Sequence, residues 1–150
     1  MSIILQIFLA WFYSHILENI LHRALHNRKL FKKGFKNHFA GHHKKARKNN
    51  MYDDNYLNFF GQTSLFELKS LFVLYALHLP IALFYPIAYI VLVSCGVNYY
   101  YIHRRCHIDV EWGKNNYPHH YNHHMAKNQH DNWGVRANWP DKIINKLFYK

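Results

Sequence analysis

Residues 65–102 read LFELKSLFVLYALHLPIALFYPIAYIVLVSCGVNYYYI, and this run decides the fold. It is too long for one ordinary membrane crossing of about 20 residues, and Pro80 and Pro86 punctuate its middle. Proline lacks the backbone N–H and disfavours helical geometry in the residue before it. The run therefore predicts a Pro-broken helical hairpin, roughly 65–79 and 86–107. Both arms are short, as in a re-entrant pair or a thinned bilayer. A hairpin returns the chain to the side from which it started.

Upstream, residues 3–21 read IILQIFLAWFYSHILENIL, with one acid, one histidine and no lysine or arginine. A basic start and a small-residue cleavage site, the marks of a secretory signal, are lacking. His15, Glu18, His22 and His26 fall at steps of three, four and four, so they share one helical face. The segment predicts a membrane span with its polar stripe turned inward, because a charge facing lipid is costly. Residues 22–50 are densely basic and contain no acid. Such a run beside an apolar helix marks the cytosolic side and suits anionic lipid.

Residues 50–62 predict an interfacial linker. The second basic block, from His103 onward, then faces the same compartment as the first. The polar tail, 108–150, ends in the amphipathic DKIINKLFYK. The expected fold is a single all-α integral membrane domain over 1–150, with one span plus the hairpin and a cytosolic histidine-rich cap.

Net charge is +11, from 19 Lys and Arg against 8 acids. That balance alone would suit a nucleic-acid binder, but such a module has no use for two long apolar runs. No nucleic-acid partner is expected. Cys95 and Cys106 form no Cys-x-x-Cys, which argues against thiolate zinc knuckles and iron–sulfur clusters. Both read as buried small side chains.

Of the 14 histidines, 12 lie in two windows, 22–43 and 103–130. Four clusters stand out: His22 with His26, His38 with His42 and His43, His103 with His107, and His120 with His123 and His124. Residues four apart on a helix share a face, so two such imidazoles can hold one ion. Ten candidate ligands exceed the shell of one ion and suit two. Imidazole binds iron, zinc, copper and nickel. The carboxylate-rich design of soluble di-iron bundles needs Glu-x-x-His, which is absent. His130, His119 and His15 are further candidates. Ligating imidazoles want an acceptor on the other ring nitrogen, and Asp109, Glu111, Asp131, Asn132 and Asn98 are the candidates for that role.

The blocks HRALHNRKLFKKGFKNHFAGHH and HRRCHIDVEW…YPHHYNHHMAKNQHDNWGVRANWPDKIINKLF resemble those of the fatty acid hydroxylase/sterol desaturase superfamily, in its short bacterial form. The resemblance implies a dinuclear iron centre, dioxygen as co-substrate and a membrane lipid as substrate. The product is an alcohol, or an alkene if a second hydrogen is removed. It also implies an external electron donor of ferredoxin or flavoprotein type and a bacterial inner-membrane location. Phe8, Trp11, Phe12 and Tyr89 are expected along an apolar substrate tunnel.

Three departures stand out. His38-x-x-x-His42-His43 has one residue more than the superfamily's H-x-x-H-H, which on an α-helix would rotate His38 by about 100°. Larger members carry a further N-terminal membrane helix, so a homodimer would complete the bundle here. The superfamily's closing glycine-threonine is replaced by LFYK. Zinc occupying the same cage, as a non-catalytic membrane protein, is the alternative reading.

Overall fold

The computed structural model describes residues 1–148; Tyr149 and Lys150, the end of the amphipathic tail, lie outside the described residues. Among the described residues the chain is helical and has no strand.

Helix α1, Ile3–Leu25, starts where the Ser2 hydroxyl accepts a hydrogen bond from the Leu5 N–H at 3.3 Å, a side-chain N-cap. Helices α4, Gln62–Phe84, and α5, Pro86–Ile108, form the expected hairpin, but its arms are longer than expected. Pro80 does not end α4; it sits within the helix, one turn before the end. Pro86 makes the break. It pushes Tyr85 out of helical geometry (φ −140°, ψ 66°) and itself opens α5 at the first helical position, where a missing N–H costs nothing.

Helices α1 and α4 are each long and apolar enough to cross a membrane. Only 6% of the apolar window of α4 is buried within the protein, and Phe72, Leu77, Leu83 and Phe84 are exposed along it. Helix α5 matches them in length but carries Asn98, Arg104 and Arg105. It packs against both α1 and α4. Gly96 permits the α4 contact: a Cβ there would lie 2.3 Å from the Tyr75 hydroxyl oxygen, which donates to the Val93 carbonyl at 3.2 Å.

The cap is built from α2 (Lys32–Asn37), a π-helical segment (His38–His43), α3 (Lys44–Lys48), α6 (Val110–Asn116), α7 (Pro118–Met125) and α8 (Trp139–Phe148). The expected linker at 50–62 is ordered by a 3₁₀ turn, Asp54–Tyr56. It is also shaped by two left-handed residues, Asn50 (φ 52°) and Met51 (φ 76°). Helix α8 lies along α1, with Trp139 stacked on Trp11 and Phe12 at 5.6 and 5.2 Å. Its Ile143 and Leu147 remain exposed, as in a helix seated at a membrane surface.

Two ion pairs fasten the tail to α1. Glu18 accepts from Arg136 Nε at 2.6 Å and from the Val135 N–H at 2.6 Å. Arg23 donates to Asp141 at 3.1 Å. The Glu18–Arg136 side chains are both almost fully buried. Arg136→Ala, which leaves the Glu18 carboxylate buried without its cation, is expected to cost about 3–5 kcal/mol. Denaturant unfolding in detergent checks this.

Candidate metal centre

The interior of the cap is filled with imidazole. His22, His26, His38, His42, His43, His103, His107, His120, His123 and His124 are all buried. His22 and His26 close α1 one turn apart, His103 and His107 close α5 in the same way, and α7 supplies the last three.

The spacing of His38 is resolved by local structure. Residues 38–43 form a π-helix, whose i→i+5 bonding brings His38 over His43 within one widened turn. The extra residue is therefore absorbed and His38 is not turned away, which corrects the expected rotation.

Nine of these rings fall into two sets whose ligand atoms lie within 4.8 Å of one another. One holds His22, His26, His38, His43 and His123; the other holds His42, His103, His107 and His124. His120 belongs to neither, but its Nε2 lies 3.4 Å from that of His107, at the border of the second set.

The rings are held by their Nδ1 atoms. His22 donates to the Trp133 carbonyl at 2.5 Å, His123 to the Asp131 carbonyl at 2.6 Å and His107 to the Met51 carbonyl at 2.7 Å. His42 donates to Asp53 at 2.9 Å, while His103 Nδ1 lies 2.7 Å from the Glu67 carboxylate and is hydrogen-bonded to the Tyr56 hydroxyl at 3.1 Å. Tyr56 donates to the same Glu67 oxygen at 2.6 Å and stacks on His107. His43 meets the Gln129 amide at 3.0 Å; Arg47 competes for that amide's oxygen.

An Nδ1–H donor leaves Nε2 with a bare lone pair. The Nε2 atom of His22 nevertheless faces that of His123 at 3.1 Å and that of His38 at 2.8 Å. The Nε2 atoms of His42 and His103 and both nitrogens of His124 are buried without a partner. Buried lone pairs aimed at one another cost free energy unless a cation lies between them. The donor set thus fits metal ions, and six of the ten rings, His22, His42, His43, His103, His107 and His123, have the outer nitrogen held as ligating histidines require; the Nδ1 atoms of His26, His120 and His124 have no partner among the described residues.

Protonation does not relieve the crowding. Burial, reinforced by the neighbouring imidazoles, holds His38, His43, His120, His123 and His124 well below the ordinary histidine value. Burial also holds His42 down, at about 4, although Asp53 pulls it upward. Burial alone would raise the Asp53 carboxyl, but the hydrogen bond and charge of His42, with the Asn55 N–H and Lys45, bring it below the usual carboxylate value.

Depressed histidines are neutral in the fold yet take up protons once unfolded. Stability is therefore full above about pH 6.5 and is lost as pH falls toward the folded values. The metal-free protein is expected to melt at progressively lower temperature between pH 7 and 4. His42 alone would contribute on the order of 3 kcal/mol of that loss. Circular dichroism melts in detergent across this range check it.

Several expected residues lie elsewhere. His15 donates to the Trp11 carbonyl and packs on Trp139. His119 meets the Val135 carbonyl at 3.0 Å, and His130 is exposed beside Phe39 and Trp133. Asp109 caps α6, with its carboxylate near Arg105, and Glu111 is exposed. Neither touches a histidine of the cage, because the chain turns away from the cluster after α5. Asp131 serves through its backbone carbonyl rather than its carboxylate. Asn132 takes a left-handed turn (φ 55°), its N–H bonded to Asp131. Asn98 is exposed on α5.

The acids that do back the cage, Asp53 and Glu67, were not among the expected residues. Glu67 carried a signal: it is the one acid in the apolar run 65–102, and an ionisable group at such a position is rarely idle.

A cavity of about 460 Å³ opens between α1, α4 and α5. His22 and Glu67 line it beside the cage, Leu17, Leu21, Leu74 and Leu92 form apolar walls, and Tyr89 and His78 line it farther along. Of the expected tunnel residues Tyr89 lines it. Phe8, Trp11 and Phe12 do not; they sit on the outer side of α1, where Trp11 and Phe12 meet Trp139. Compared with family models, curated proteins and solved structures, the chain matches none.

Proposed function

We propose that this chain is a membrane-bound di-iron oxygenase that hydroxylates an unactivated C–H bond of a lipid. Dioxygen is its co-substrate, and a ferredoxin or flavoprotein delivers the electrons. The observation that carries this reading is the pair of buried, mutually facing imidazole sets at one end of an apolar cavity between membrane-length helices.

His22, His26, His38, His43 and His123 would hold one ion, and His42, His103, His107 and His124 the other, with His120 at hand. When bound, a pair of irons supplies the dioxygen activation and hydrogen abstraction that side chains cannot. The chain supplies the rest. The carbonyls of Trp133, Asp131 and Met51 lock ring orientation, and so do the carboxylates of Asp53 and Glu67. The leucine walls of the cavity admit an apolar chain and exclude water. Desaturation, the removal of a second hydrogen, uses the same arrangement.

The basic run at 22–50 supports a cytosolic cap in this reading, with the helices in a bacterial inner membrane. It gives an acidic electron carrier a complementary surface. A second copy would complete the helical bundle.

The four-nitrogen set has the ligand number of structural zinc, so a non-catalytic zinc-binding membrane protein is the second reading. Protein purified in mild detergent is expected to carry iron at both positions. When supplied with reductant and membrane lipid extract, it should consume dioxygen with the appearance of lipids heavier by one oxygen atom. Zinc at both positions, with no dioxygen uptake after iron loading, would favour the second reading.

A further inference from the structure

The two halves of the cage are alike in their imidazoles but not in what stands behind them. Around His42, His103, His107 and His124, two outer nitrogens stand against carboxylates: His42 is hydrogen-bonded to Asp53 at 2.9 Å, and His103 lies 2.7 Å from Glu67 with the Tyr56 hydroxyl bonded to both. Both acids are buried, Asp53 completely. Asp53 is fixed by the Asn55 N–H at 3.0 Å and by Thr63 at 3.4 Å, and its remaining cation, Lys45, is partly in solvent at 3.2 Å. Glu67 is fixed by Tyr56.

Behind the five-histidine set no carboxylate among the described residues contacts a ring. His22 and His123 donate to neutral backbone carbonyls, and His43 meets a neutral amide. The charged groups on this side are Arg23, 5.2 Å from the centroid of Trp133, whose ring packs on His22 and His26, with its charge met by Asp141 at 3.1 Å, and Arg47, beside Gln129.

A dication in a buried site is stabilised by anions close behind its ligands and opposed by cations there. A carboxylate on the outer nitrogen also makes an imidazole a stronger donor. Coordination number favours the five-histidine position, but among the described residues no carboxylate backs its neutral rings. In a site shut off from solvent the charge difference outweighs one additional neutral nitrogen.

We infer that the two positions are unequal: the His42/His103/His107/His124 position, backed by Asp53 and Glu67, takes its ion first and more tightly, and the five-histidine position beside the cavity fills second. The inference rests on the metal-centre reading above. The more weakly held ion is then the one next to His22, which lines the cavity.

Titration of the metal-free protein in detergent with cobalt(II), followed by its visible absorption and by calorimetry, tests the order. Two resolved steps are expected. Asp53→Asn and Glu67→Gln, made separately, should each weaken the first step by roughly 10-fold to 100-fold and leave the second within about 3-fold. Circular dichroism identifies which variants remain folded; Glu67→Gln keeps side-chain shape and its bond to Tyr56, so it stands if Asp53→Asn does not. Equal affinities in the wild type would overturn the inference, and so would losses confined to the second step. A first step unmoved in a folded variant would do the same. Failure of the wild type to bind cobalt at all would instead remove the metal centre itself.

Discussion

Replacing His123 and His124 together by alanine is expected to strip the protein of nearly all its metal. The two residues are neighbours in sequence, yet each belongs to a different set. The double variant therefore takes one ligand from each position. It also removes the ring stacked on His43 at 3.9 Å and the hydrogen bond to the Asp131 carbonyl. Altering an outer partner of a ligand costs about 10-fold to 100-fold in metal affinity, and losing the ligand itself costs more. Helix α7 starts at Pro118 and contacts α3 and α6, and alanine is the best helix former. The fold should survive. Metal analysis of wild type and variant, with circular dichroism as the folding control, decides the matter. Wild-type metal content in the variant would place the ions elsewhere.

Leu74→Trp is expected to separate chemistry from substrate access. Leu74 lines the cavity between α1, α4 and α5, away from the cage. An indole there would occupy space that an apolar chain needs. Metal content should match the wild type while dioxygen-dependent lipid oxidation falls by about 100-fold, the loss expected when reacting groups are held an ångström from their place. Equal lipid oxidation by the variant would show that substrate reaches the cage by another route.

The sequence made some of this plain and hid the rest for physical reasons. Helices α1, α4 and α5 were legible because membrane-length helices need long apolar runs. The ten clustered histidines were legible because their three- and four-residue spacings match helical turns. Pro80 misled: α4 runs through it for one more turn, to Phe84. The π turn at His38–His43 has no composition of its own; the spacing showed one residue too many and could not say how the backbone absorbs it.

The partners of the rings were the least legible. Three are main-chain carbonyls, at Met51, Asp131 and Trp133, and every residue has one. The acids next to the third cluster in sequence, Asp109 and Glu111, turned outward. Asp53 and Glu67, remote along the chain, turned in because the 3₁₀ turn and the first turns of α4 fold over the cluster.

The pairs His42–His43 and His123–His124 each divide between the two sets. Consecutive Cα atoms are 3.80 Å apart, fixed by covalent bonds. The interval between the two positions is therefore spanned twice by peptide linkages, like a gauge cut into the chain. Helices can breathe and slide against one another, but the cage has two rungs whose length neither motion changes.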